Sequence, residues 1–174
     1  MIDSFDQVVL GRQMPRWTGG FTSTMKWKGF TLYGAFDYAL GFTRYDSRST
    51  WIMGCAQGTY NTTTEVFDSW TPENPDAKYP IYVYADQLGK ANYMRTSSMF
   101  AHNGNYLAVR ELSLAYSLPA SLAAKMACQK VDVSITGQNL AYWTSGKVAR
   151  PEESLTDSGY ALPRTLLFGI NVTF

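Results

Sequence analysis

The last residues of the chain, Arg164–Phe174, alternate between apolar residues and residues that are mostly small and polar. One parity is wholly apolar and consists of Leu166, Phe168, Ile170, Val172 and Phe174. Because a β-strand places alternate side chains on opposite faces, the pattern predicts a strand with one apolar face. Chain ends usually fray, so a large apolar residue at the carboxyl end indicates that something binds it. A soluble β-sandwich strand and an outer-membrane barrel strand both alternate in this way, and this strand alone does not separate them.

Two further alternating runs, 17–28 and 30–40, lie near the start of the chain and meet at a glycine-containing turn. This arrangement predicts a β-hairpin. Each run is about as long as a transmembrane strand of about 9–11 residues, and longer than the usual soluble strand of about 5–6 residues. Trp17 and Trp27 lie at opposite ends of the first run, as the aromatic girdles of a membrane barrel require. Strand length therefore favours the barrel over the sandwich.

Two more alternating segments predict strands over 104–118 and 130–143. Within the first, the phase of alternation slips near Arg110-Glu111, which is typical of a β-bulge. A short helical turn is predicted over 120–129, between the two strands. With the final strand, 164–174, the chain is predicted to be all-β. The expected architecture is a partial transmembrane antiparallel β-barrel, a curved open sheet of about five long strands with long, partly helical extracellular loops.

Composition argues against several classes of function. Net charge is +1, which gives no electrostatic support for nucleic-acid binding. No apolar run approaches the roughly 18 residues of a membrane helix, and no signal-peptide pattern follows Met1. Cys55 and Cys128 match no metal or redox spacing, and His102 has no partner that suggests catalysis. We therefore predict no catalytic residue, no cofactor and no metal site, and the chain is not predicted to be an enzyme.

A long polar segment over 41–103 separates the hairpin from the later strands. Loops of this length are uncommon in compact domains and are usually functional. Short helical turns are predicted within it around 63–69 and 84–91. Aromatic rings can stack on sugar rings or peptides, and the candidate substrate-binding residues are Trp51, Trp70, Tyr79, Tyr82 and Tyr84. The alternative, which we favour, is that these rings pack the loop against itself.

Short motifs follow one another along almost the whole chain. The sequence reads NYLAVRELSLAYSLP over 105–119, GQNL over 137–140 and LPRTLLFGINVTF over 162–174. These stretches resemble the YLRLKNVTLGYTLP, GQNL and PxPRTxxFGxxxxF motifs of the SusC/RagA family of TonB-dependent outer-membrane proteins. Three further stretches are similar to that family's GNPxPxWxxGF, WTPENP and DPE motifs: 11–21, 70–75 and 151–152. Ala108 and Glu111 depart from the family pattern without putting the fold in doubt.

The resemblance implies a larger protein, because family members carry an N-terminal plug, a TonB-box segment and a barrel of about 22 strands. On this interpretation the chain is a fragment, or the product of a truncated reading frame, that holds about the last five strands. Loop lengths then predict that Lys28-Gly29, 119–129 and the C-terminus are periplasmic, and that 41–103 and 144–163 are extracellular loops. Asp37, Asp132 and Gln138 are expected to face the barrel lumen.

The implied function is that of an outer-membrane importer of glycans or peptides in a Gram-negative bacterium, to which this chain contributes barrel wall and substrate-facing loops. The implied partners are membrane lipid and lipopolysaccharide, the remainder of the barrel and plug, a SusD-like surface lipoprotein, the TonB complex and the barrel-assembly machinery. The residues expected to form the barrel-assembly signal are Phe168, Ile170, Val172 and Phe174. The alternative function is that of a soluble β-sandwich module that binds carbohydrate.

Overall fold

The computed structural model describes residues 4–54, 61–82, 93, 96–145 and 162–174. The chain divides into two compact units. The sheet unit consists of Met14–Phe42 and Gly104–Phe174, and the loop unit consists of Met1–Gln13 and Thr43–Asn103. Within the described ranges, no helix has the length and apolar character needed to cross a membrane.

Strands dominate the described elements. In chain order they are β1 (Trp17–Trp27), β2 (Phe30–Leu40), β3 (Thr43–Tyr45), β4 (Ala101–Asn103), β5 (Tyr106–Ser117), β6 (Lys130–Thr144) and β7 (Thr165–Thr173). The α-helices are α1 (Ser47–Gly54) and α2 (Ala120–Lys125). Short 3-10 helices cover Ser4–Asp6, Thr64–Asp68 and Ser98–Phe100.

The five long strands form one antiparallel sheet in the order β1-β2-β5-β6-β7. The strands β1 and β7 are therefore the two edges of an open sheet. The predicted all-β architecture of about five long strands is confirmed. Each strand begins and ends within two residues of the bounds expected from the alternation, because the same residues that alternate also pair across the sheet.

The phase slip in β5 corresponds to a β-bulge. Ala35 pairs with Glu111 and Phe36 pairs with Val109, so Arg110 is the extra residue opposite β2. The ladder between β5 and β6 is irregular at the same point, and Asn139 on β6 has a left-handed φ of 53°. The bulge brings the apolar residues on either side of Arg110 to one face of the sheet, although they differ in parity along the sequence.

The turn between β1 and β2 is tight, and both of its residues have positive φ. Lys28 has a φ of 45° and Gly29 a φ of 87°, as a two-residue primed turn requires. Gly29 also lies close to β5, because a Cβ built on it would meet the carbonyl oxygen of Ser117 at 3.0 Å. The connection between β5 and β6 begins with α2, which ends before Ala127, where φ is 55°.

The loop unit has its own small core. Met53, Tyr79, Tyr93 and Phe100 form a buried apolar cluster, against which partly buried neighbours pack. The short strands β3 and β4 pair with each other. The helical turn expected around 63–69 is present as the 3-10 helix Thr64–Asp68, and Thr63 Oγ1 accepts a hydrogen bond from the Glu65 backbone. The turn expected around 84–91 lies outside the described residues.

Candidate functional site

The two faces of the sheet differ in polarity along every strand. Large apolar side chains occupy one face, which we call the apolar face. One row of directly paired residues crosses all five strands on it: Met25, Leu32, Leu114, Ile135 and Phe168. Each of these side chains is at least 40% exposed. A soluble protein rarely leaves a contiguous apolar patch of this extent open, so this face is suited to contact with an apolar environment.

Aromatic residues lie towards both ends of the apolar face. Trp27, Phe30 and Tyr116 pair in register beside the β1–β2 turn, and the Phe30 and Tyr116 ring centroids are 4.5 Å apart. Trp17 and Trp143 lie at the opposite end and are 65% and 58% exposed. Phe21 and Phe36 also stack between these ends, with ring centroids 4.6 Å apart. Aromatic residues at both ends of an apolar face are typical of strands whose ends meet the two water interfaces of a membrane.

The opposite face, which we call the polar face, carries hydrogen-bonded pairs that join neighbouring strands. Ser113 and Thr136 hydroxyls are 2.7 Å apart, and Gln138 Nε2 donates to Glu111 Oε2 at 3.2 Å. Asp132 accepts from Ser117 Oγ at 2.6 Å and from Lys130 Nζ at 2.8 Å. Asp132 and Gln138 are two of the residues expected to face a lumen. Both lie on the polar face, because their side chains point away from the face that carries the apolar row.

Asp37 is the third of these residues, and it belongs to a cluster built by the bulge. Arg110 donates to both carboxylate oxygens of Asp37, with Nη2 at 3.0 Å from Oδ2, and its Nη1 donates to Tyr142 Oη at 2.7 Å. The guanidinium also lies over the Tyr142 ring, 5.3 Å from its centroid. Tyr106 Oη donates to Asp37 Oδ2 at 3.1 Å. The cluster joins β2, β5 and β6 where their ladders are irregular.

Near the β1–β2 turn, the polar face contains a depression of about 410 Å³. Residues of all five strands line it, among them Lys26, Thr31, Lys130, Ser134 and Asn171. Lys130 is paired with Asp132. Within the part of the chain that the structure describes, no metal-binding group of three or more His, Cys, Asp or Glu side chains is found. The polar face is suited to binding polar ligands through hydroxyl, amide and ammonium groups.

The candidate substrate-binding aromatics do not share one environment. Trp51, on α1, and Trp70 are 51% and 41% exposed. Tyr79 is 7% exposed and belongs to the buried cluster, where Tyr82 packs beside it. Tyr84 lies outside the described residues. Of the set named from the sequence, Trp51 and Trp70 are thus the described members whose rings are open to a ligand.

Tyr93 was not singled out in the sequence, yet its hydroxyl joins two other segments of the loop unit. Its Oη donates to the Pro80 carbonyl at 2.7 Å and lies 2.9 Å from Ser69 Oγ, which is itself buried. The Tyr82 ring meets it edge-on, with centroids 5.6 Å apart. Burial raises the pKa of the Tyr93 phenol above its usual range, and the hydrogen bond with Ser69 offsets part of that shift.

The residues expected to form the assembly signal lie at the edge of the sheet. Phe168, Ile170 and Val172 are on the apolar face of β7, and Phe174 follows that strand. Phe168, Ile170 and Phe174 are 79%, 74% and 82% exposed. Because β7 is an edge strand, its outer backbone groups are open to pairing with another strand.

No protein-family model matches the sequence. Two curated relatives from Formosa agariphila align with it, TonB-dependent receptor P26 at 28% identity and TonB-dependent receptor P3 at 26% identity. The alignments cover 100% and 99% of this chain but 18% of each relative. The chain therefore spans less than a fifth of the length of these relatives.

Solved structures of RagAB resemble the fold. The RagAB peptide transporter aligns with a TM-score of 0.73 at 25% identity, over 92% of this chain and 17% of that chain. The RagAB peptide importer in the "open-open" state aligns with a TM-score of 0.71 at 23% identity, over 95% of this chain and 18% of that chain. This chain is a relative of the SusC/RagA-type TonB-dependent receptors. The resemblance noted from the sequence motifs is confirmed.

Sequence reasoning missed two parts of the structure. The first is the Arg110 cluster, for which a signal existed, because a lone arginine lies at the phase slip and Asp37 lies on the polar parity of β2. The second is the buried cluster of the loop unit, for which the irregular spacing of the tyrosines gave no signal. His102 lies on β4, and Cys128 is a free cysteine after α2.

Proposed function

We propose that the chain forms part of the barrel wall of an outer-membrane TonB-dependent importer, with its apolar face towards lipid and its polar face towards the lumen. The observation that carries the proposal is the contrast between adjacent residue rows of the sheet. The exposed apolar row crosses the sheet from Met25 on β1 to Phe168 on β7. The next row lies on the opposite face and consists of Lys26, Thr31, Ala115, Ser134 and Gly169. A membrane barrel requires this alternation on every strand.

Strand length supports the same assignment. β1 and β2 each contain 11 residues. A strand of this length extends about 33 Å, and at the tilt of about 35–45° found in barrels it spans about 23–27 Å along the membrane normal. That distance matches the apolar band of about 25 Å in outer-membrane barrels. The aromatic ends of the apolar face then lie at the two membrane interfaces.

The transported substrate is a glycan or a peptide, and the curated relatives' names do not distinguish these classes. The name of the RagAB peptide importer supports a peptide. In the proposed orientation the C-terminus is periplasmic and segment 41–103 is extracellular, where the exposed rings of Trp51 and Trp70 contact the substrate. The RagAB neighbours also support a SusD-like surface lipoprotein as partner, and the proposed activity is transport without catalysis.

The soluble carbohydrate-binding sandwich has less support. In a sandwich, a second sheet packs on the apolar face of the first at about 10 Å. The apolar row instead remains at least 40% exposed in the described structure, and the architecture resembles that of the RagAB transporter.

The orientation of the two faces can be tested with neighbouring residues of β7. Ile170→Arg places a charge on the apolar face, which destabilises a barrel by about 2–4 kcal/mol near the membrane midplane. Asn171→Arg is the matched control, because it places the same charge on the polar face of the same strand. We expect the amount of full-length protein in the outer membrane to fall strongly for Ile170→Arg and little for Asn171→Arg. Equal losses would contradict the barrel assignment.

A further inference from the structure

The connection between β5 and β6 folds back onto the apolar face of the sheet. Val131 shares the apolar parity of β6 with Val133 and Ile135, which are 37% and 40% exposed, yet Val131 is 4% exposed. Helix α2 contacts β6, and Ala123 on this helix is 1% exposed. Because alternation along the strand places Val131 on the same side as Val133, α2 covers Val131 from the apolar side of the sheet.

Backbone hydrogen bonds hold this connection in place. The Cys128 amide donates to the Ala123 carbonyl at 3.1 Å, which returns the chain to α2 after the helix has ended. The Gln129 amide then donates to the Thr173 carbonyl at 2.8 Å, which joins the end of the connection to β7. The position of α2 on the apolar face is therefore fixed at the end of the connection that leads into β6.

The outer surface of α2 carries two large apolar side chains. Leu122 lies on the helix and Met126 directly follows it, and the two are 47% and 58% exposed. Residues four apart lie on the same side of a helical turn, so these two side chains form one small apolar surface. Lys125, in the last turn of α2, is also exposed. Apolar residues beside an exposed lysine are typical of short segments that lie in a membrane interface.

The level of α2 along the strands matches the headgroup region of a membrane. Val133 pairs with Tyr116 in the aromatic row beside the β1–β2 turn, and Val131 lies two residues further out. Two strand residues extend about 7 Å, which is about 5 Å along the membrane normal at a tilt of about 35–45°. The headgroup region of each leaflet is about 5–7 Å thick. If the aromatic row marks the edge of the hydrocarbon core, α2 lies among the headgroups.

We propose that α2 is an interfacial anchor, and that Leu122 and Met126 insert into the phospholipid surface of the periplasmic leaflet. The partner is therefore lipid, because the apolar surface of α2 continues the apolar face of the sheet. The proposal rests on the proposed import function, since it requires that face to contact lipid. It adds a contact made by a connection outside the strands, which opposes movement of the barrel wall along the membrane normal.

The test measures how accessible a nitroxide side chain is to oxygen, which concentrates in lipid, and to a water-soluble nickel chelate. Full-length protein in which the other cysteines are replaced by serine is labelled at one introduced cysteine and reconstituted into vesicles of phosphatidylethanolamine and phosphatidylglycerol. For Leu122→Cys and Met126→Cys we expect a ratio of oxygen to nickel accessibility about threefold or more above that of Asn171→Cys, because an interfacial segment excludes the chelate.

Two sites on the strands provide the references for this measurement. Asn171 is the matched control, because it lies on the polar face at the same end of the sheet, paired with Asp132 next to Val131. Val133→Cys reports the apolar face itself and is expected to give the highest ratio, because it lies nearer the membrane centre than α2 does.

Two results would contradict these expectations in different ways. A high ratio at Val133 together with ratios at Leu122 and Met126 equal to that of Asn171 would overturn the anchor, since α2 would then lie in water and only cover Val131. A ratio at Val133 as low as that at Asn171 would instead contradict the proposed import function, because the apolar face would not contact lipid.

Discussion

The ion pair between Asp37 and Arg110 provides a quantitative test of how the sheet is held in register. The pair is bidentate and is supported by Tyr106 and Tyr142. Its side chains are 28% and 31% exposed, so its contribution to the free energy of unfolding is expected to lie between those of exposed and of fully buried ion pairs. Exposed pairs contribute about 0–1 kcal/mol, whereas removing one partner of a fully buried pair costs about 3–5 kcal/mol.

For this intermediate exposure we expect Asp37→Asn and Arg110→Gln each to lower the free energy of unfolding by about 1–2 kcal/mol, after allowance for solvent screening. The double variant should lose less than the sum, because each single change already breaks the ion pair. The expected coupling energy is about 1 kcal/mol.

The measurement is urea-induced unfolding of the full-length protein in phospholipid vesicles, followed by tryptophan fluorescence. Glu111 and Gln138 provide the control cycle on the same face, since a single hydrogen bond of 3.2 Å joins them. We expect their coupling to be about 0.5 kcal/mol or less. A coupling for Asp37 and Arg110 that is within about 0.3 kcal/mol of zero, the usual error of additivity, would refute the reasoning.

Five further outcomes are expected. Gly29→Val should destabilise the hairpin by about 1–2 kcal/mol, because φ is 87° and the new Cβ would crowd the Ser117 carbonyl; equal urea midpoints for the two proteins would contradict this. Tyr93→Phe should cost about 1–3 kcal/mol, because it leaves buried Ser69 without its partner. Stability of the loop unit should fall above about pH 10, where the unfolded phenol ionises while the folded one, with its raised pKa, keeps its proton; Tyr93→Phe should reduce that slope in a pH series of thermal melts. Deletion of Phe174 should lower the outer-membrane level of the full-length protein on immunoblots. The chain expressed by itself should aggregate unless detergent covers its apolar face, and a sharp reversible melt of a monomer in plain buffer would argue for the sandwich.

Much of the sheet could be predicted from the sequence, because strand pairing and alternation depend on local pattern. The parity of Leu107 and Val109 against Leu112 and Leu114 indicated the bulge before any contact was known. The partner of Arg110 could not be predicted in this way. Asp37 is 73 residues away, and only the sheet order brings β2 beside β5.

The loop unit was less predictable, for a physical reason. Whether an aromatic ring is buried depends on contacts between distant parts of the chain. The spacing of Trp70 and Tyr79 follows neither a helical nor a strand period from which their burial could be predicted. Tyr79 is buried beside Tyr93, whereas Trp70 remains 41% exposed. The contacts of the N-terminal segment were also unexpected: the Thr43 backbone donates to the Arg12 carbonyl at 2.7 Å.

Hydrogen bonds join the segments that follow β2 and precede β5, at the point where the chain leaves the sheet unit. Asn105 Oδ1 accepts from the Gly41 backbone at 2.6 Å, and the Gly104 backbone donates to the Phe42 carbonyl at 3.0 Å. These bonds close the ladder beyond its last strand pair, Ala39 with Tyr106. Insertions and deletions between Thr43 and Asn103 can therefore accumulate during evolution without disturbing strand register. Related chains can therefore vary this segment in length and sequence while the pairing of β2 with β5 stays the same.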